Sequence, residues 1–462
     1  MSVTAFAVVL AFAVTAFAPQ VLNDGDTFMH IAAGARMLAD HAVLYRDPFS
    51  YTFAGAAWQA HEWLAEVAMA AAYGAGGWSG LLLLFAFAAA AAAGLLAHNL
   101  GRWLDWPAQA IVSIIALSCM TPSLLARPHL LALPLLALWL SGLLIARSEK
   151  RTPSFALLPV MTLWANIHGS FLLGLGLAAG LALDALVSDD NRAATIRGWS
   201  LFGAGALAAA LINPHFVQGL LFPIAMMGAA KLANVAEWQP IDFSQFQPLE
   251  LAVLAALYFV VTRGVRIPPV RAFIVLVLLH LALQHQRHQI VFALAAPLLL
   301  AEPMSRALSA SASALSKRTH RLAAFAATAT AVLVIGLAAL RLLVPVVRSD
   351  GPVAPISALE HVPPALRCQP VLNDYSFGGY LIFAGVRPFV DSRVELYGDA
   401  FLARYEQIIA SDPQTVRATL RAYDIRWTIL GKRSRAVAVM DGLRGWRRFY
   451  TDDYAVVHIR DK

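Results

Sequence analysis

Residues 79–99 read SGLLLLFAFAAAAAAGLLAHN, a run without a single Lys, Arg, Asp or Glu. A helix of about 20 such residues is what the hydrocarbon core of a bilayer demands. Working outward, the same reading applies to 3–22, 107–126, 128–146, 152–166, 169–187, 200–217, 248–263, 271–285, 288–302 and 322–346, so the chain predicts about eleven spans. Ala16-Phe17-Ala18 resembles a signal-peptide cleavage site, but the first span lacks a positively charged leading region, so a retained helix is expected.

The composition agrees. Of 462 residues 59% are hydrophobic and 14% charged, with a mean hydropathy of +0.64. Soluble domains average roughly 45–50% apolar and about 25% charged. These values exclude a disordered chain and argue against a soluble enzyme, because one core cannot hide so much apolar surface. Two cysteines, Cys119 and Cys368, are too few for a disulfide framework or a cysteine zinc site and are not expected to pair. Charge is unevenly spread: residues 1–346 hold 19 Lys/Arg and 15 Asp/Glu, residues 347–462 hold 16 and 13. The expected fold class is therefore mainly α, a polytopic membrane helix bundle over 1–346 with an outer loop at 23–78. A small α/β domain follows over 347–462.

Basic residues set the expected orientation. With the N-terminus in the cytoplasm, inner loops carry Arg102, Arg147, Lys150, Arg151, Arg192, Arg197, Arg263, Arg266, Arg271, Arg306, Lys317, Arg318 and Arg321. Outer loops carry only Arg36, Arg46, Arg127, Lys231 and Arg287. An odd number of spans then places the tail outside. The net charge of +7 is largely this asymmetry, and no nucleic-acid partner is implied. The run Ser309–Ser316 beside Lys317-Arg318 reads as a flexible inner loop.

That topology gathers the scarce polar groups at the outer face. The first outer loop holds Asn23-Asp24-Gly25-Asp26-Thr27, His30, His41, Asp47-Pro48 and His61-Glu62-Trp63. Later outer turns hold Arg127-Pro128-His129, Trp164-Ala165-Asn166-Ile167-His168, Asn213-Pro214-His215, Glu237-Trp238, Asp242 and His285-Gln286-Arg287-His288. Ionisable groups near a bilayer are costly and mark sites or substrate paths; a lone His or Trp there is more often an interface anchor.

Asp24 and Asp26 flank a glycine, so both carboxylates can approach one point. They can activate an acceptor hydroxyl or hold a divalent cation, Mg or Mn; a simple turn explains the same triplet. Glu62 is a third acid of this loop. Arg127, His129, His168, Arg287 and His288 can pair with the phosphate of a lipid-linked donor, or the arginines can snorkel to headgroups. Residues 27–39 predict a short amphipathic helix along the membrane, and 62–75 a second apolar segment. Together they would form a shelf holding a lipid near Asp26.

In the tail, Val371–Asp374, Tyr380–Phe383, Pro388–Asp391, Arg426–Leu430 and Ala455–Ile459 read as strands, and 399–410 and 413–423 as helices. The second helix has a start signal at Ser411-Asp412-Pro413, and Gly378-Gly379 reads as a tight turn. Asp374, Tyr375, Asp391 and Arg393, with Glu395 and Tyr397, are candidates for an acceptor or tail site; a salt-bridged surface is the plainer account.

Several segments resemble bacterial members of the GT-C glycosyltransferases. They are Asp24-Gly-Asp-Thr-Phe-Met-His-Ile-Ala-Ala-Gly, Asp47-Pro-Phe-Ser-Tyr-Thr, His61-Glu-Trp-Leu-Ala-Glu, Trp164-Ala-Asn-Ile-His-Gly, Leu372-Asn-Asp-Tyr-Ser-Phe-Gly-Gly-Tyr-Leu and Val390-Asp-Ser-Arg-Val-Glu-Leu-Tyr-Gly-Asp. The likeness covers most of the chain in layout and about a quarter in motifs. It implies an inverting transferase of the bacterial inner membrane, with the C-terminal domain periplasmic. A polyprenyl-phosphate sugar would be the donor and a glycan, lipid or protein the acceptor. The first-loop acid would be base or metal ligand, Asp26 before Asp24. The Trp-Trp-Asp type triplet of oligosaccharyltransferase tails is missing, so peptide Asn is not the expected acceptor. Two other readings remain: a lipid-linked glycan transporter or flippase, and a non-catalytic scaffold of GT-C form. A transporter should show midplane charges and internal repeats, whereas the spans are mainly Ala and Leu with Asp184 near an end. The intact carboxylates Asp24, Asp26 and Glu62 count against a degenerate scaffold.

Overall fold

The computed structural model describes residues 2–227, 236–308, 320–410 and 413–461. The Ser309–Ser316 loop with Lys317-Arg318, and the Ser411-Asp412 part of the helix-start signal, lie outside the described residues. The helices are α1 (Val3–Phe17), α2 (Asp26–Asp40), α3 (Trp63–Leu100), α4 (Trp106–Met120), α5 (Pro128–Ser148), α6 (Leu158–Ile167), α7 (Phe171–Ser188), α8 (Arg192–Ala210), α9 (Val217–Met227), α10 (Pro248–Arg263), α11 (Pro269–Gln284), α12 (Gln289–Leu308) and α13 (His320–Leu343). Then come α14 (Ile356–His361), α15 (Pro364–Arg367), β1 (Val371–Asn373), α16 (Gly378–Phe383), α17 (Val394–Ile409), α18 (Pro413–Ala422), β2 (Trp427–Gly431), α19 (Arg435–Asp441), β3 (Trp446–Thr451) and β4 (Ala455–Arg460).

The chain divides into two units. The first takes in Met1–Val21, Ser79–Ala225 and Ala233–Pro345; the second includes Leu22–Trp78 and Val346–Lys462. The outer loop thus belongs to the same unit as the tail. The chain passes between the units just after a break in α3, where Gly76 and Gly77 leave helical geometry. Gly77 sits at φ +55°, ψ −144°, a region open essentially to glycine alone.

The first unit is helical. Every stretch read as a span carries a helix over at least part of its length. Among the described residues, Trp63–Leu100, Pro128–Ser148, Phe171–Ser188, Gln286–Leu308 and Ala326–Leu343 are long and apolar enough to cross a bilayer, and Val3–Phe17, Phe155–Ile167, Val217–Met226 and Pro269–Gln284 are shorter apolar helices. Local signals set the ends: Asp105 Oδ1 accepts from Ala108 N–H at 3.2 Å before α4, Asn191 Oδ1 from Ala194 N–H at 3.2 Å before α8, and α5, α10 and α11 each begin at a proline. α1 packs on α13, α4 on α12, α5 on α6 and α7, and α7 on α8 and α11. Large apolar side chains face outward, with Leu201 60%, Phe273 68% and Val261 71% exposed; a surface of this kind suits lipid rather than water. Asp184 is buried and gathers two arginines, Arg147 Nε at 2.9 Å and Arg271 Nε at 3.3 Å; Arg271 Nη1 also donates to Glu302 Oε2 at 2.7 Å. That network satisfies charges that would otherwise be prohibitive there.

The second unit holds a four-stranded sheet ordered β1-β2-β4-β3, with β1 parallel to β2 and the other neighbours antiparallel. Val371, Phe377, Leu381, Trp427, Ile429 and Val457 form its core. Three expectations for the tail are corrected. Tyr380–Phe383 is not a strand but the end of α16, and Gly378 opens this helix (φ −55°, ψ −46°) instead of making a turn. Pro388–Asp391 is not a strand because the side chain of Asn373 satisfies its backbone: Asn373 Oδ1 accepts from Phe389 N–H at 2.7 Å and Asn373 Nδ2 donates to Val390 O at 2.8 Å. β3 was not expected; it is an edge strand whose exposed Arg447 and Arg448 mask its alternation.

Candidate active site

In the second unit the first-loop acids meet a histidine. Asp24 Oδ1 accepts from the Asp26 backbone N–H at 2.7 Å, and Asp26 is the first residue of α2, where the helix dipole favours a carboxylate. One turn further on, His30 Nδ1 lies 3.0 Å from Glu66 Oε1, and His30 Nε2 lies 3.7 Å from Glu62 Oε2. His61 Nε2 is 3.7 Å from Glu62 Oε1. Two i, i+4 pairs therefore face each other, Asp26/His30 on α2 and Glu62/Glu66 at the head of α3. Gly34 permits the approach, since a Cβ there would lie 1.9 Å from the Glu66 carbonyl oxygen. Burial disfavours charge on His30, but the Glu66 hydrogen bond and the Glu62, Glu66 and Asp26 carboxylates overcome it, and the pKa is raised to about 9. Glu66 Oε2 is buried with no hydrogen-bond partner among the described residues.

Sequence reasoning singled out Asp24, Asp26 and Glu62 but gave no role to His30 or Glu66. The double i, i+4 spacing was the available signal. As to a divalent cation, no three His, Cys, Asp or Glu side chains among the described residues stand together in metal-holding geometry. Asp24 Oδ1 accepts a backbone N–H; a divalent cation bound here would be held by Asp24 and Asp26 and would activate an acceptor hydroxyl.

The tail residues divide. Asp374 caps a short turn, accepting from Ser376 N–H at 3.1 Å and Gly431 N–H at 3.2 Å. The Tyr375 N–H donates to the Tyr405 hydroxyl at 2.8 Å. Asp391 and Arg393 are buried, at 0% and 2% exposure. Arg393 donates Nε and Nη2 to the Asp391 carboxylate at 2.8 and 2.7 Å, and Nη1 to Asp47 Oδ1 at 2.8 Å. The Tyr397 hydroxyl donates to Asp391 Oδ2 at 2.7 Å. Although burial disfavours its charge, Arg393 and Tyr397 hold the Asp391 pKa below the ordinary aspartate value. Trp58 Nε1 donates to Glu395 Oε1 at 2.8 Å, and Thr52 Oγ1 to Phe389 O at 2.7 Å. The geometry gives Asp391 and Arg393 the work of fastening residues 47–58 to the tail.

In the first unit the basic residues surround one acid. Glu237 pairs with Arg127 Nη1 through Oε2 and with Arg287 Nη1 through Oε1, the latter at 3.0 Å. The Arg287 guanidinium lies 4.6 Å over the Trp238 ring. His288 sits edge-on to Trp238 at 6.1 Å, and His285 Nδ1 is 2.7 Å from Trp238 O. His129 meets His168 at 6.3 Å between ring centres; its Nε2 lies 3.0 Å from Ser123 O, and His168 Nδ1 is 2.7 Å from Ser170 Oγ. Burial alone would raise the Glu237 pKa, yet Arg127 and Arg287, then His129 and His288, lower it below the usual glutamate value. Sequence reasoning had named all five basic groups and had left Glu237, noted only as an outer-loop residue, without a role. Two guanidinium forks converging on one carboxylate are a template for a tetrahedral oxyanion.

No family model and no curated protein matches the chain. Solved structures do. The archaeal oligosaccharyltransferase AglB from Archaeoglobus fulgidus, in complex with an inhibitory peptide and a dolichol-phosphate, aligns at TM-score 0.61 and 11% identity over 92% of this chain and 69% of that one. The apo form of the Archaeoglobus fulgidus oligosaccharyltransferase aligns at 0.57 and 12%, with the same coverage. ArnT from Cupriavidus metallidurans, bound to undecaprenyl phosphate, aligns at 0.55 and 12% over 98% of this chain and 97% of that one. The chain shares its fold with AglB and ArnT.

Proposed function

We propose, from the GT-C fold, that the chain is a membrane glycosyltransferase. It would move a sugar from a polyprenyl-phosphate-linked donor to an acceptor at the outer face of the inner membrane. The observation that carries the reading is the Asp26–His30–Glu62–Glu66 cluster: three carboxylates around one cationic imidazole, in a loop directly after the first apolar helix. In support, AglB and ArnT were each solved with a polyprenyl-type phosphate.

In this reading Asp26 takes the proton of the acceptor hydroxyl as that oxygen attacks the anomeric carbon. The sugar–phosphate bond breaks on the opposite face, so configuration inverts. Independently of that cluster, Arg127 and Arg287 offer two guanidinium forks that fit the phosphate of the donor in place of Glu237. The basic-residue asymmetry supports a cytoplasmic N-terminus and a periplasmic tail. Which glycan, lipid or protein accepts the sugar is to be found with an acceptor panel.

The test is transfer by purified protein in nanodiscs supplied with polyprenyl-phosphate sugars and that panel. A general base contributes roughly 10²–10⁴-fold, so Asp26→Asn should cut transfer by at least about 100-fold while expression and monodispersity hold. Unchanged transfer would remove Asp26 from the chemistry. Movement of a lipid-linked glycan across the bilayer with no new glycosidic bond would make the chain a transporter.

A further inference from the structure

Among the described residues, one cation of the second unit has no counter-charge. Arg348 is half-buried, and its guanidinium carbon lies 5.6 Å from the centre of the Phe28 ring and 5.5 Å from that of Trp78. Its Nε is buried with no hydrogen-bond partner, and no carboxylate among the described residues pairs with it. Asp350, two residues on, is engaged by Ser357, accepting from its N–H at 2.8 Å and its hydroxyl at 2.5 Å. Burial accordingly pulls the Arg348 pKa below the ordinary arginine value, with no acid to offset it. A guanidinium taken partly out of water and left unpaired is costly. Cation–π contact returns only a fraction of that cost, about 0.5–2 kcal/mol at most sites.

The surroundings narrow the missing anion. Tyr73, Trp78, Tyr380 and Phe383 are half-buried around the site; the rings meet edge to face at 69° for Tyr73–Trp78, 81° for Tyr73–Phe383 and 84° for Phe28–Tyr380, while Trp78 and Phe383 are tilted at 42°. Tyr and Trp rings, apolar in body with a polar edge, are what is found where lipid meets water. Trp78 immediately precedes the apolar stretch 79–99, and Arg348 follows the end of α13 by five residues. Beside Arg348, Val347 is 88% exposed, a position that water penalises and acyl chains welcome.

We propose that Arg348, bracketed by Phe28 and Trp78, holds the phosphate of a bilayer glycerophospholipid, with Val347 and the half-buried aromatic rings against its acyl chains. The guanidinium fork matches two phosphate oxygens. Arg348 is not among the residues given the donor-phosphate role, and its assignment stands whether or not the chain transfers a sugar.

The test compares wild-type protein with Arg348→Ala and Arg348→Lys. Each is reconstituted in phosphatidylglycerol–phosphatidylcholine nanodiscs, released into mild detergent and weighed by native mass spectrometry with its retained lipids. Wild type should keep one glycerophospholipid that Arg348→Ala loses, a weakening of about ten-fold or more for a charge-assisted pair. Arg348→Lys, which keeps the charge without the fork, should fall between them. Equal retention in all three overturns the proposal. So does loss of a bound polyprenyl phosphate in place of the glycerophospholipid, or displacement of the lipid by millimolar inorganic phosphate, which would mark a donor site or a free-anion site. Should Arg348→Ala fail to fold, the comparison of wild type with Arg348→Lys decides alone.

Discussion

At the scale of single residues, His30 makes the sharpest statement. Its folded pKa of about 9 stands above the ordinary 6.5. Its contribution to stability is therefore complete below about pH 6.5 and is lost as pH rises through 9. The shift corresponds to something on the order of 3 kcal/mol for so buried a group. Thermal unfolding followed from pH 6 to 10 should show the loss in wild type, and His30→Gln should flatten that part of the profile. An unaltered pH dependence in the variant would mean that other groups carry it. The role of His30 was not legible beforehand, because its partners Glu62 and Glu66 lie 32 and 36 positions away. A sequence shows the i, i+4 spacing within each pair but not that the two pairs face each other.

Among elements, the contact of α2 with the head of α3 depends on the absence of a side chain at Gly34. A methyl group there would lie 1.9 Å from backbone oxygen and 2.9 Å from the Ala70 Cβ, and backbone cannot step aside cheaply. Gly34→Ala should therefore cost about 1–3 kcal/mol or more and lower the melting temperature. It should also depress transfer, because it moves Glu62 and Glu66 away from His30. The helices of the first unit were readable because length and unbroken apolar character identify them without knowledge of their neighbours. The tail was harder for a physical reason. Its short segments take their form from partners far along the chain, as Pro388–Asp391 does from Asn373, and a four-residue apolar run such as Tyr380–Phe383 suits a strand or a helix equally well.

For the molecule as a whole, two predictions concern how the outer loop and the tail belong together and where they lie. Arg393 bridges Asp47 and Asp391 in full burial. Removing one partner from such a network typically costs about 3–5 kcal/mol. Arg393→Ala should therefore melt early and open residues 41–62 to limited proteolysis, while Arg393→Met, which refills the volume but leaves two acids buried, should rescue little. The proposed orientation is checked with the native thiols, since Cys368 is exposed and Cys119 buried. A membrane-impermeant maleimide added to intact spheroplasts should label Cys368 and spare Cys119; labelling of Cys368 only after lysis would invert the topology.

The Asp47–Arg393 pair spans 346 positions, and this sets a schedule for biogenesis. A ribosome adding roughly 5–20 residues per second makes Asp47 wait about 20–70 seconds for its guanidinium. Throughout that interval the loop carrying Asp24, Asp26, Glu62 and Glu66 has been made, while the half of its unit that encloses it has not. The unit cannot form piecemeal from the N-terminus. It closes only once the last strand has emerged, so the nascent loop must be shielded from proteases in the meantime, and a chain stalled before β4 would expose it for good.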